Sequence, residues 1–227
     1  MEHLLLKISI MLVPALLAVT MHEVAHGFIA EKLGDPTARL LGRLTLNPIK
    51  HLDPIGTIAL LVFGFGWARP VPVNSNNLRN ARKDMIWVSL AGPSANLMLA
   101  LFCALLLRVV VYVAATLPVQ SPVLSLISPI GLMAAFGLYI NVILCLFNLM
   151  PIPPLDGGRV LMGILPESQS QMLRRVEPFG MLLIVFLIFG TSIWRSFFGP
   201  AVYQVVAMMA GPHMDVVEQT MQLLFYR

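Results

Sequence analysis

A chain of 227 residues with 58% apolar and only 11% charged side chains departs far from soluble domains, where about a quarter of residues are charged. With a mean hydropathy of +0.83, that excludes a water-soluble globule and reads as an integral membrane protein in contact with a lipid bilayer. The net charge of +4 raises nucleic acid as a partner, but the basic residues form no stripe interleaved with aromatics, so no nucleic-acid partner is expected.

In chain order, residues 4–21 form a first apolar span with Pro14 as a possible kink. The helix is expected to continue through Met21-His22-Glu23-Val24-Ala25-His26-Gly27 to about Leu33, where Gly34-Asp35-Pro36 stops it. The apolar stretch after Lys7 has the outline of a signal peptide but no A-x-A site ahead of the histidines, so it reads as an uncleaved first span. Residues 37–53, with the alternation Leu44-Thr45-Leu46 and the punctuation Asn47-Pro48, read as a short strand or hairpin at the membrane surface. Residues 55–65 are apolar but about half the length that a spanning helix needs, and are expected to dip into the membrane and return. Trp67 and Ala68-Arg69-Pro70-Val71-Pro72-Val73-Asn74 then predict an extended edge segment, because the prolines exclude both helix and central strand.

A polar start at 79–84 leads into a second span over about 85–115. Inside it Ala91-Gly92-Pro93-Ser94-Ala95-Asn96 kinks the helix and sets a carboxamide at membrane depth. Residues 124–150 form the third span, with Asn141 and Asn148 seven positions apart on one face. Pro151-Ile152-Pro153-Pro154-Leu155-Asp156-Gly157-Gly158-Arg159 follows directly. After a polar connector, residues 179–194 read as the last span and 200–227 as an interfacial helix. Cys103 and Cys145 lie in apolar runs without CxxC spacing, so neither a disulfide framework nor a cysteine zinc site is expected.

The fold class is therefore an all-α polytopic membrane protein of about four full spans, with a membrane-dipping segment and a short β-hairpin or edge strand between spans one and two. It forms a single membrane-embedded domain over 1–227, with a core of about 5–165; residues 166–227 supply the last span and the C-terminal helix. Eight of the 15 basic residues fall in 31–84 and three in 159–177, so both connectors are assigned to the cytoplasmic side. That assignment puts His22, His26 and Asp156 at one depth near the cytoplasmic face.

On a helix, His22 and His26 project from one face one above the other, as a two-imidazole metal clamp. Glu23 sits beside the first ligand, where it can act on a water at the metal without being a ligand itself. Catalytic zinc uses three protein ligands, and the candidates for the third are His51, Asp53, Asp156 and His213. Asp156 is the strongest, placed at the inner end of a span between stiffening prolines and permissive glycines; alone, it also suits a helix N-cap.

Taken together, His22-Glu23-x-x-His26 at the end of a first span, Ala91-Gly92-Pro93-x-x-Asn96 and Asn148-x-x-Pro151-x-Pro153-x-x-Asp156-Gly157 resemble the site-2 protease family of intramembrane zinc metalloproteases, peptidase family M50. The likeness covers about residues 5–165 and is closest to compact prokaryotic members without PDZ or CBS domains. It implies one zinc ion per chain held by His22, His26 and Asp156, with Glu23 as general base and later proton donor. It also implies that Asn148 and Asn96 help to hold a substrate backbone, and that the substrate is a transmembrane segment of another protein. Val71 and Val73 are expected to pair with that segment once it is unwound, by edge addition. Localisation to a prokaryotic cytoplasmic membrane is expected. The rival readings are a membrane zinc transporter, disfavoured because the outer half holds almost no ligands, and a catalytically silent scaffold, disfavoured by the intact Glu23.

Overall fold

The computed structural model describes residues 2–63 and 66–225. Among the described residues three helices are long and apolar enough to cross a membrane: Leu5–Lys32, Ala81–Thr116 and Pro122–Asn148. They belong to α1 (Glu2–Lys32), α4 (Ala81–Thr116) and α5 (Pro122–Asn148), matching the first three expected spans. At 36 residues, α4 is about 54 Å long, more than a hydrocarbon core of about 30 Å requires. Pro14 and Pro93 sit inside α1 and α4 without ending them. Helix α1 stops where expected: Asp35 N–H closes onto the Ala30 carbonyl at 2.9 Å, and Gly34 takes the left-handed conformation, φ +112°, that a side chain would oppose.

The hairpin expected over 37–53 does not form. The chain makes a one-turn helix α2 (Thr37–Leu40) and a 3-10 turn, Pro48–His51. Asp35 Oδ1 accepts from Thr37 N–H and Asn47 Oδ1 from Ile49 N–H, and such side-chain bonds turn the backbone locally where a ladder would need it extended. Among the described residues the β pairing is an isolated antiparallel bridge between Leu52 and Ala68; further along, Asn74 has an extended backbone, φ −100° and ψ 103°.

The segment expected to dip forms α3 (Pro54–Phe63), ten residues or about 15 Å, too short to cross. Asp53 Oδ1 caps it by accepting from Gly56 N–H at 2.8 Å. A Cβ on Gly56 would lie 2.2 Å from the Trp67 carbonyl oxygen, so the chain leaves at Gly56 and is back beside it eleven positions later. Residues 64–65, the end of the expected segment, lie outside the described residues.

The last expected span is shorter than anticipated. After α6 (Asp156–Ile164) and α7 (Glu167–Val176), helix α8 covers Gly180–Phe189 only. Gly190-Thr191-Ser192 interrupts it with turn-forming residues. A fourth span is counted only if the stretches Glu167–Phe189 and Trp194–Phe225 are taken as one broken span. The expected interfacial helix is two, α9 (Gly199–Ala210) and α10 (Met214–Phe225), separated at Gly211, φ +61°.

The described chain divides into two compact units, each with its own packing. In the unit containing Asn96–Leu144, Ile10, Phe136 and Leu224 form a buried cluster that Met11, Leu132 and Met221 pack against. Asn96 and Asn141 are buried there. Asn96 Nδ2 donates to the Ala18 carbonyl at 3.2 Å and to Asn141 Oδ1 at 2.9 Å, satisfying amides that would be costly in an apolar interior. The unit formed by Val19–Ala95 and Cys145–Ser192 carries the chemistry.

Candidate metal centre

Helical spacing places the imidazoles of His22 and His26 one above the other, with ring centroids 4.6 Å apart and nearly perpendicular planes. Their Nε2 atoms are 3.0 Å apart. His26 Nδ1 lies 2.7 Å from the Val88 carbonyl oxygen in α4. A carbonyl can only accept, so this nitrogen carries the ring proton and the Nε2 lone pair is left free.

Asp156 reaches the same point from the end of α5. The chain turns through Met150-Pro151-Ile152, where Ile152 N–H donates to the Met150 carbonyl, and Asp156 becomes the first residue of α6 behind Leu155 at the N-cap. Its glycine neighbours make the turn possible: a Cβ on Gly157 would sit 2.3 Å from the Leu149 oxygen, and one on Gly158 2.4 Å from Pro153 N. The far end of α6 is fastened to α4. Arg82 Nε donates to the Gly163 carbonyl at 2.9 Å and its Nη2 to that of Leu165, while Gly163 lies against Ile86.

Asp156 Oδ2 is 3.1 Å from His22 Nε2 and 3.3 Å from His26 Nε2, and the three side chains are 10–12% exposed. Oδ2 is buried and makes no hydrogen bond of good geometry; the His26 ring, protonated at Nδ1, turns its Nε2 lone pair towards it. Two imidazole nitrogens and a carboxylate oxygen, each a potential ligand atom, therefore converge on one point. Donors around a tetrahedral zinc ion at about 2.05 Å stand about 3.3 Å apart, close to the spacing here. This is also the one group of three or more histidine, cysteine or acidic donors of metal-holding geometry among the described residues. His51 is instead buried with Nε2 against the Thr45 carbonyl at 2.8 Å, Asp53 caps α3, and His213 lies in the turn before α10.

Room for an ion comes from Gly92, in the stretch whose sequence predicts a kink. A Cβ on Gly92 would lie 2.4 Å from His26 Nε2 and 2.5–2.6 Å from the His22 ring, filling the cradle. The Gly92-Pro93 pair marked the position; the reason needed α4 packed against α1. Glu23, one residue beyond His22, accepts from Val71 N–H through Oε2 at 2.8 Å. Val71 itself is 7% exposed, Val73 is partly buried, and Asn148 ends α5 partly buried. Asn96 lies in the other unit, with its amide committed to Ala18 and Asn141.

The family model described as Peptidase family M50 matches residues 10–191. The chain belongs to peptidase family M50. This M50 chain is 44% identical over 180 residues to the Bacillus subtilis protein named "Putative zinc metalloprotease YwhC", covering 78% of each chain. It is 33% identical over 188 residues to the protein named "Putative zinc metalloprotease Rip2" of Mycolicibacterium smegmatis, covering 81% of this chain and 68% of that one. The corresponding Mycobacterium tuberculosis protein is 30% identical over 190 residues, with the same coverage. No solved structure matches the chain significantly. Membership accords with the site-2 protease resemblance and with Zn2+ as the cofactor that the donor set fits.

Proposed function

We propose that this M50 chain is a zinc-dependent intramembrane endopeptidase, cutting peptide bonds within or beside transmembrane segments of other proteins. The observation that carries this is the meeting of Asp156, just beyond the end of α5, with His22 and His26 on α1, both α1 and α5 being long and apolar enough to cross a bilayer. These three residues hold the ion, one per chain. Zinc bound there supplies Lewis-acid polarisation of the scissile carbonyl and acidification of a water.

The protein supplies the proton path. Glu23 takes a proton from the attacking water as its oxygen bonds to the carbonyl carbon. It then delivers that proton to the amide nitrogen as the carbon–nitrogen bond breaks, releasing an amine and a carboxylic acid, whose remaining proton passes to the amine or to solvent. A helical substrate keeps its carbonyls bonded within the helix, so a stretch must unwind before attack. We assign the holding of that stretch to the Trp67–Asn74 segment and to the carboxamide of Asn148. Because Val71 N–H is spent on Glu23, edge pairing falls to the carbonyls of Pro70 and Pro72, with the side chain of Val73 beside them. Asn96 contributes through the spacing of the helices that it ties together. The short α3, which leaves and returns without crossing, offers a water route to the site. By the distribution of Lys and Arg, the site faces the cytoplasmic side of a prokaryotic cell membrane.

The test is cleavage of a model transmembrane substrate by purified protein in nanodiscs. The proposal expects zinc-dependent cleavage that a chelator abolishes and Glu23→Gln reduces by at least about a thousandfold, the scale of losing a general base together with its positioning. Stoichiometric zinc with no cleavage of helical or unwound substrates would overturn it in favour of a scaffold. Zinc flux without cleavage would overturn it in favour of a transporter.

A further inference from the structure

We infer that the backbone amide of Val71 is a positioning group for the general base: its N–H holds one oxygen of Glu23 and leaves the other free to face the substrate. The inference rests on the peptidase reading of the site. Its basis is the 2.8 Å bond from Val71 N–H to Glu23 Oε2, made across 48 positions of sequence.

The local sequence gives this amide no competitor. Pro70 and Pro72 lack N–H groups, so Pro-Val-Pro delivers a single donor hydrogen to this stretch of α1, and the two rings stiffen the backbone that aims it. The side chain fixes the depth. A Cβ on Gly27 would meet Val71 Cγ1 at 2.9 Å, together with Leu44 and Ala38, so Val71 sits in a hollow of α1 one helical turn beyond Glu23. The flanks are pinned as well. Arg69 N–H donates to the His51 carbonyl at 2.8 Å, and Asn74 N–H donates to Asp35 Oδ2 at 2.7 Å. Four attachments over six residues leave the Val71 amide little freedom, whereas Glu23 alone would have three rotatable side-chain bonds. A carboxylate held by one fixed N–H is pre-oriented for proton transfer, and a misplacement of about 1 Å in such a group can cost a hundredfold in rate.

The hydrogen can be removed by two routes: Val71→Pro, and replacement of the residue by its α-hydroxy acid, which turns the amide into an ester and keeps the side chain. If Val71→Pro fails to fold, the ester decides. The expected result is kcat lower by about 10- to 100-fold, with KM within about twofold and zinc content equal to the parent. A loss carried by KM alone would overturn the inference and make the amide a substrate contact. Unchanged kcat in the ester, or loss of zinc, would overturn it too. A second readout needs no activity. In zinc-loaded protein labelled with 15N-valine, the Val71 amide proton should resonate downfield and exchange slowly, and Glu23→Ala should abolish both properties. An amide indifferent to Glu23→Ala overturns the contact itself. If the amide responds but the parent cleaves nothing, the peptidase reading fails and the positioning role fails with it.

Discussion

At Gly92 the missing Cβ has two opposed consequences. Alanine favours a helix interior by about 1 kcal/mol over glycine, so Gly92→Ala should raise the helical propensity of α4. The same carbon would stand 2.4 Å from His26 Nε2 and 2.5–2.6 Å from the His22 ring, and His26 is pinned from behind by Val88. The imidazoles must swing apart. We expect Gly92→Ala to keep the parent's helical circular dichroism and lose most of its zinc by mass spectrometry; full zinc occupancy would show that the cradle has slack. The contrast explains which residues sequence reasoning reaches. His22 and His26 meet through the geometry of one helix, and Asp156 stands out by the glycines and prolines around it. Gly92 acts across a helix crossing some 70 positions away, and the hydrogen bond from Val71 to Glu23 spans 48. No local pattern encodes either contact.

Asp35 shows how elements are held at a fixed distance from the helix that carries His22 and His26. Fully buried just beyond α1, it accepts from the Thr37 amide and hydroxyl, from Asn74 N–H at 2.7 Å and from Asn77 Nδ2 at 2.9 Å. It thereby locks the end of the Trp67–Asn74 segment to α1. Burial by itself raises the carboxyl's pKa, but these hydrogen bonds outweigh it and hold Asp35 below its ordinary value. A depressed folded-state pKa contributes stability above the unfolded value of about 4, and that contribution is lost as pH falls through the folded value. Asp35→Asn should therefore cost about 2 kcal/mol at neutral pH and flatten the acid limb of stability, followed by tryptophan fluorescence in detergent. An acid limb identical to the parent's would remove Asp35 from this role. The spans were legible from hydropathy because length and apolarity suffice to define them. The 37–53 region was not, since Leu44-Thr45-Leu46 alternates like a strand while Asp35 and Asn47 bend the chain around it. The last span was overestimated because apolar composition runs past Phe189, whereas Gly190-Thr191-Ser192 breaks the helix.

Across the whole molecule, an unusual balance of apolar helix and localised charge turns composition into topology. On α4, Leu101, Phe102, Leu105 and Val109 are each at least half exposed, as suits side chains facing lipid. Basic residues gather in the two connectors around the site. Single cysteines introduced at Asn76 and Ser168, after Cys103 and Cys145 are replaced, should react with impermeant maleimide only from the cytoplasmic side, and one at Gln120 only from the opposite side. Labelling of all three from one side would refute the orientation. The central claim is narrower: one zinc ion held by two imidazoles and one carboxylate brought from helices 130 positions apart in sequence. X-ray absorption on zinc-loaded Glu23→Gln protein, compared with the same protein carrying Asp156→Ala, tests it most directly. The account predicts one zinc per chain with two imidazole nitrogens and oxygen ligation at about 2.0–2.1 Å, and loss of zinc or of one protein ligand in Asp156→Ala. Unchanged zinc content and an unchanged ligand shell without Asp156 would contradict it.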